Sequence, residues 1–490
     1  MRRLAQLEYK HLVAIAFVFG VFMDVLDTTI VNVALPTLTR DFEVTRGQIE
    51  WVATGYLISL ALWIPASGWI GDRFGTKRTY LFALVMFTGA SALCGLAWNI
   101  ESLVAFRILQ GVGGGMLTPV GTAMLFRAYP PAERAKASAV LAGPTVLAPA
   151  LGPVLGGVIV THLSWRWIFL VNVPVGIVGF FFTARFLEEH REPRAGRFDL
   201  WGFVLSGTGL ALVLFALSRG PEAGWTSGSV LVPFVVGVLA FVALVLVETR
   251  VPEPMLALRL YRDRMFRQAN IALVASMGSL LGLLFLLPFF LQQLRGLTPQ
   301  QSGLATFTQA IGMILMSRVV GRIYPVVGPR RLMLTGLTLT ATFTTLFAFV
   351  DLDTTLWAVR GIMFARGMSM ALSMIPLQAS TYVTIRPEDT GRASSLTSAV
   401  RQMGAAVGVA VLATMLATRT DALAPGKTCA AQTVAGDPAL RNACTTAFHE
   451  ALLFSAVIVS LGIVAAWFIR DEDAAATMRG RAAPVGAGAT

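Results

Sequence analysis

The sequence predicts an all-α polytopic membrane protein built from two six-helix bundles with two extra transmembrane helices between them. Three observations predict it: a composition too poor in charge for a soluble chain, fourteen apolar runs of membrane-spanning length, and a loop signature that occurs twice. Of the 490 residues, 55% are hydrophobic and 13% charged, whereas a soluble chain carries about 25% charged residues. The mean hydropathy is +0.69. A net charge of +12 does not point to nucleic acid here, because the bases are spread through short loops between apolar runs. Anionic lipid headgroups are the expected counter-charge.

Each apolar run has the roughly 18–25 residues needed to cross the hydrocarbon core. Six come first, at 12–35, 48–67, 79–98, 102–125, 137–160 and 166–187. Two follow at 200–218 and 229–248, and six more at 269–292, 302–320, 332–351, 355–383, 394–417 and 450–469. No small-residue cleavage site follows the first run, so it reads as a retained span and not a signal peptide. The run at 355–383 is long enough to tilt or protrude. An even number of spans puts both termini on one side. With the N-terminus in the cytoplasm, cytoplasmic segments hold 27 Lys and Arg against 8 in outer loops, and Arg107, Arg360, Arg366 and Arg401 fall inside spans. The positive-inside rule therefore predicts a cell inner (cytoplasmic) membrane protein with both termini cytoplasmic.

The repeat divides the chain. "GWIGDRFGTKR" (68–78) and "GRIYPVVGPRR" (321–331) share glycines at positions 1 and 8 and a basic pair at the end. "PAERAKAS" (131–138) and "PEDTGRAS" (387–394) share Pro, an acid, a base and Ala-Ser at nearly the same offset. The expected units are an N-terminal bundle (1–190), two linker spans with their connections (191–268), and a C-terminal bundle (269–490) carrying one long outer loop at 418–449. Repeated halves around a central site are a secondary-transporter architecture.

Charges inside spans mark candidate function, because an ionised carboxylate at a helix centre costs about 2.5–3.5 kcal/mol to insert. Asp24 and Asp27 in the first span share a helical face with Thr28 and Val31, and that face must meet the bundle interior or a wet cavity. Arg107 enters the fourth span to a depth within about 4–5 Å of Asp27 at 1.5 Å per residue. An arginine that approaches and leaves Asp27 would expel and reload a proton; the alternative is a static ion pair tying the two spans. Asp24 suits a proton, a cationic substrate or a solvated cavity wall. Asp72, with Arg73, Lys77 and Arg78 on a turn bounded by Gly68 and Gly75, would lock one conformation by ion pairs. Without Asp72 the turn would read as an ordinary basic anchor.

These residues fall into motifs. "GWIGDRFGTKR" (68–78), "RILQGVGGG" (107–115), "APALGPVLGG" (148–157), "WRWIFLVNVPVG" (165–176) and the stretch around Asp27 together resemble the major facilitator superfamily, and within it the fourteen-span drug/proton antiporter branch. Thr76 stands where a base is usual in the first motif, and Ala148 where glycine is common in the third. The resemblance covers nearly the whole chain. It implies a major facilitator fold, a proton-coupling role for Arg107 and Asp27, and a conformational gate at 68–78. It further implies an antiporter motif at Gly152, Pro153, Gly156 and Gly157. The implied activity is proton-coupled efflux of lipophilic, cationic drugs by alternating access, with no enzymatic step.

Other polar residues in spans, Asn32, Gln110, Asn172, Gln309 and Gln378, are candidate cavity contacts. Met363, Met368, Met370 and Met374 would line an adaptable drug pocket or pack helices. The four histidines fall at span ends, which argues against a metal site or a mid-membrane relay, and no cofactor is expected. "GVGGG" lacks the Lys-Ser/Thr of a phosphate loop. Cys429 and Cys444 share the outer loop, where they would form a disulfide worth about 3 kcal/mol or remain two free thiols. Cys94 reads as packing. Expected partners are small lipophilic substrates, protons and membrane lipids, with no nucleic acid, and the protein is expected to be a monomer. Export of an endogenous metabolite, lipid or self-made antibiotic stays open as a second reading. A non-transporting sensor would need a soluble output domain, which the tails at 1–11 and 470–490 are too short to supply.

Overall fold

The computed structural model describes residues 8–193, 196–251, 254–427, 429 and 436–478; the side chains of residues 46, 47, 146, 150, 153, 222 and 299 lie outside that description. Residues 479–490 of the expected cytoplasmic tail therefore lie outside the described residues. Among the described residues fourteen long helices follow one another: α1 Tyr9–Asp41, α2 Arg46–Phe74, α3 Thr76–Gly95, α4 Ile100–Ala128, α5 Arg134–His162, α6 Asn172–Phe186, α7 Leu200–Ala223, α8 Gly228–Glu248, α9 Arg264–Phe289, α10 Pro299–Val327, α11 Pro329–Leu346, α12 Leu356–Thr381, α13 Thr390–Leu423 and α14 Pro438–Trp467. A one-turn helix, Trp167–Leu170, leads into α6.

Thirteen spans meet both the length and the apolarity that crossing a membrane demands. The fourteenth long helix, α12, has 26 residues, more than the roughly 20 that a span requires. Its hydropathy is lowered by Arg360, Arg366, Gln378 and several serines. The protein is thus a multi-pass membrane protein. Hydropathy alone foreshortened the helices. Their polar end turns continue beyond the apolar runs, so the loop expected at 418–449 is largely helical, and only 424–437 separates α13 from α14.

Each group of six helices uses the same pairings. In the first, α1 packs on α5, α2 on α4, α3 on α4 and α6, and α1 on α6; in the second, α9 packs on α13, α10 on α12, α11 on α12 and α14, and α9 on α14. The repeated loops show why. Gly75 and Gly328 end α2 and α10 at φ +103° and +89°, a region open to glycine and strained for other residues. The next helix then starts at once. A carboxylate receives it in each half: Glu189 accepts from the Lys77 and Arg78 amides at 3.0 and 3.2 Å, and Asp471 from the Arg330 amide at 2.9 Å. Anions favour helix N-termini.

Between the halves, α2 and α4 meet α13, while α5 meets α10 and α12. The inserted pair α7–α8 packs as a hairpin, with α7 laid over α2 and α13. The α8 face is left outside, with Leu231, Val232, Leu239 and Val242 exposed, as lipid contact requires. Cys429 and Cys444 form a disulfide. Both are buried among Leu416, Leu440 and Phe448, so the bond fastens the short loop onto α14.

Candidate functional site

Glycines build the site. Gly111 and Gly115 on α4 lie one turn apart, and a Cβ at either would strike the α2 backbone, at Tyr56 O and Leu60 O. Gly113 does the same against α3 at Ala83 O. The "GVGGG" run is therefore a packing surface, and small residues are what bring membrane helices this close. Close packing places Arg107 at the middle of the first bundle. Its Nε donates to the Val52 carbonyl at 3.0 Å and its Nη1 to Asp27 Oδ2 at 2.5 Å and Gln110 Oε1 at 2.8 Å.

Asp27 is surrounded on all sides. Its other oxygen accepts from Gln110 Nε2 at 2.9 Å and Asn172 Nδ2 at 3.2 Å. Asn172 also donates to Ser91 Oγ at 3.2 Å. Asp27 and Gln110 are 0% exposed, Arg107 and Asn172 1%. A buried ion pair needs this much hydrogen bonding to offset its desolvation. Asp27, Arg107, Gln110 and Asn172, each a candidate from its place in a span, lie together here.

Asp24 forms a second centre one turn away. Its oxygens accept from Tyr56 Oη at 2.7 Å and Thr118 Oγ1 at 2.8 Å. Tyr56 joins the two centres, because the Arg107 guanidinium lies over its ring at 4.1 Å, within cation–π range. Tyr56, Thr118 and Ser91 were missed by the sequence analysis; the available signal was a hydroxyl near mid-span. Cys94 does pack, as expected, though beside the site, with its thiol 3.7 Å from Gln110 Oε1. Asn32 stands apart: it is exposed, more than a turn beyond Asp27, and outside this cluster.

The second half repeats the arrangement with one change. Arg366 is 0% exposed and donates to Thr344 Oγ1 and Gln309 Oε1, each at 2.9 Å, and to Ser279 Oγ at 3.2 Å. Ser279, Gln309, Thr344 and Arg366 follow Asp27, Tyr56, Ser91 and Arg107 by 252, 253, 253 and 259 residues, close to the loop offsets. The acid of the first half is a serine here. Gln309 thus belongs to a helix-binding cluster. Arg360 lies near the start of α12, its guanidinium over the Trp357 ring at 4.8 Å. Met363, Met370 and Met374 are buried in helix packing.

At the end that carries the basic loops, Asp72 binds Arg127 Nη2 at 2.8 Å. Its carboxylate also rests on the first turn of α13, where a Cβ on Gly391 would come within 2.7 Å of Oδ1. Gly68 meets the same helix: a Cβ there would lie 2.6 Å from Ser395 Oγ. Ser67 Oγ is 3.0 Å from Ser395 Oγ, and Ser394 Oγ donates to the Pro119 carbonyl at 2.6 Å. Phe126 stacks on Tyr382 at 4.1 Å, and Arg134 donates to the Tyr382 carbonyl. The two halves are closed on each other at this end. Arg127 was missed, being counted only as a loop base. Arg73 is exposed, while Lys77 and Arg78 are occupied at their amides by Glu189. Thr76 is buried, its amide bonded to the His190 carbonyl at 2.9 Å.

In the stretch 148–157, Gly152 lets α5 touch α1, since a Cβ would fall 2.2 Å from Thr29 Oγ1, and Gly156 would meet Val33 at 3.1 Å. Gly157 faces open space. The side chain of Pro153 lies outside the described residues.

Two quasi-equivalent helical bundles, a buried charge cluster in one of them and a closed seam between them define a membrane carrier. The family model described as the Major Facilitator Superfamily matches residues 17–409 and 269–485, and the chain belongs to that family. It is 37% identical over 399 residues to a multidrug resistance protein B homolog of Mycobacterium tuberculosis (strain CDC 1551 / Oshkosh), covering 80% of this chain and 73% of that one. It is 31% identical over 423 residues to the multidrug transporter protein MdtP of Bacillus subtilis (strain 168), covering 85% and 78%. The crystal structure of the human organic anion transporter MFSD10 superposes with a TM-score of 0.61 at 16% identity, over 92% of this chain and 99% of that one. Family and relatives make this protein a membrane transporter related to multidrug transporters.

Proposed function

We propose that the protein exports lipophilic compounds across the cytoplasmic membrane in exchange for protons, working as a monomer with both termini in the cytoplasm. The observation that carries this reading is the Asp27 carboxylate, fully buried and bonded by Arg107 at 2.5 Å. Departure and return of the guanidinium make a cycle in which the carboxyl is alternately paired and free. In this cycle Asp27 is the proton carrier, Arg107 its switch and Asp24 a tuning group. The closed seam at Asp72, Arg127 and the α13 N-terminus is the cytoplasmic gate, and the Gly152–Thr29 contact holds α5 on α1 against leakage. The names of the multidrug relatives support drugs as substrates. The expected cationic charge has less support, because both Asp24 oxygens already accept bonds from Tyr56 and Thr118. An endogenous lipophilic product would use the same route.

The test is a substrate screen in an efflux-deficient host. Expression should lower the accumulation of lipophilic compounds, and a protonophore should abolish the difference. Efflux that survives the protonophore contradicts the reading.

A further inference from the structure

A small cavity lies on the seam between the halves. Thr122 and Leu141 line it from the first half, and Leu273, Gln378, Tyr382 and Arg401 from the second. Its wall contains no carboxylate. Arg401 is half-buried there, and among the described residues its guanidinium has no hydrogen-bond or ion-pair partner. That is unusual for a group with five N–H donors. The two fully buried arginines are engaged: Arg107 by Asp27, and Arg366 by Gln309, Thr344 and Ser279. Gln378 is the second unengaged group. It is 4% exposed, and its Oε1 has no partner. Asp24 is the acid within electrostatic reach of Arg401, yet both its oxygens are held by Tyr56 and Thr118.

We infer that Arg401 and Gln378 form the polar end of the substrate site and take a carboxylate or another acceptor-rich anionic group of a lipophilic molecule. The inference deepens the efflux reading by naming the substrate class, and it rests on that reading for the direction of transport. The chemistry follows from the donors. A planar guanidinium binds a carboxylate in two parallel bonds, which are about twice as strong as neutral ones. The Gln378 amide, by turning about its last torsion, offers NH2 to the same group. Leu141 and Leu273 supply the apolar wall for the adjoining hydrocarbon. An ammonium group finds no free acceptor charge here and would face Arg401 directly. Export of an anion is also favoured by an inside-negative potential.

The experiment uses the full chain in lipid nanodiscs without any gradient. Binding is measured for three probes that share one naphthylhexyl body and end in a carboxylate, a carboxamide or a trimethylammonium. The carboxylate should bind about tenfold or more tighter than the ammonium, the size expected of one charged hydrogen-bonded contact. Arg401→Gln should remove that ordering, Arg401→Lys should keep part of it, and Gln378→Leu should weaken carboxylate and carboxamide together. Equal or tighter ammonium binding, no binding of the carboxylate, or a preference unchanged in Arg401→Gln would each overturn the inference. Proton coupling is not read by this assay. A carboxylate preference in a protein whose efflux ignores protonophores would sink the efflux reading and leave the site intact.

Discussion

Arg366 meets the Ser279 hydroxyl at 3.2 Å in the second bundle, in the position where Arg107 meets the Asp27 carboxylate at 2.5 Å in the first. One half of the molecule has a titratable partner for its buried arginine and the other has neutral acceptors. The two arginines should therefore fail differently. Arg366→Gln leaves Ser279, Gln309 and Thr344 without a charged donor, a loss of about 1.5–3 kcal/mol per bond before relaxation. Less folded protein and a lower melting temperature are expected, with the pH-gradient response per folded molecule retained. Arg107→Gln should abolish that response. Equal loss of gradient response in both variants would contradict the assignment.

Tyr56 has two separable contacts, its hydroxyl with Asp24 at 2.7 Å and its ring beneath Arg107 at 4.1 Å. Tyr56→Phe keeps the ring and removes one bond to a charged acceptor, worth about 1.5–3 kcal/mol. Tyr56→Leu removes both contacts. Transport in vesicles should fall moderately in the first and severely in the second. A phenylalanine variant as impaired as the leucine one would show that the ring contact contributes nothing.

The seam between the halves is open to chemical trapping. Ser67 and Ser395 sit on opposite halves with their hydroxyls 3.0 Å apart. A Ser67→Cys/Ser395→Cys pair should cross-link readily under mild oxidation. Adding Asp72→Asn weakens the bond to Arg127 and the contact with the α13 N-terminus, which lets the seam open. The cross-linked fraction should drop several-fold, as expected for a coupling of about 1–3 kcal/mol. An unchanged yield would show that Asp72 does not hold the halves together.

The disulfide gives a second stability test. Loss of the Cys429–Cys444 bond should cost about 3 kcal/mol in the chain-entropy account of a loop of this size. Cys429→Ser/Cys444→Ser should melt at a lower temperature. A membrane-impermeant thiol reagent should label the wild-type pair only after reduction, and labelling without reductant would contradict the bond in the native protein.

Much of this was legible in the sequence. Span positions follow from apolar runs, because the side chains that face lipid must be apolar over the hydrocarbon core. The duplication was legible because the hinge glycines Gly75 and Gly328 and the basic pairs after them are set by backbone geometry and topology. Asp27 and Arg107 stood out because a charge in a span is costly enough to need a reason. Tyr56, Thr118, Ser91 and Arg127 were not legible. Their roles depend on which way each helix is rotated, and a helix such as α4, apolar almost all round with polar residues scattered on several faces, does not encode its rotation in hydropathy. Arg366 was visible as a charge, but its meaning required the two halves to be superposed. The polar turns of α13 and α14 read as loop because hydropathy marks only the hydrocarbon-crossing part of a helix.

The central claim is that Asp27 carries the coupling proton. Asp27→Asn preserves size and polarity, and it can still be bonded by Gln110 and Asn172, so insertion and folding should persist. Removing a membrane-buried charge should if anything ease insertion. The direct measurement is substrate transport by reconstituted vesicles under an imposed pH gradient, normalised to folded protein. The account predicts that Asp27→Asn shows no gradient-driven transport while Asp24→Asn retains a reduced rate. Wild-type gradient-driven transport in Asp27→Asn would contradict it and leave the ion pair with Arg107 a purely structural tie between α1 and α4.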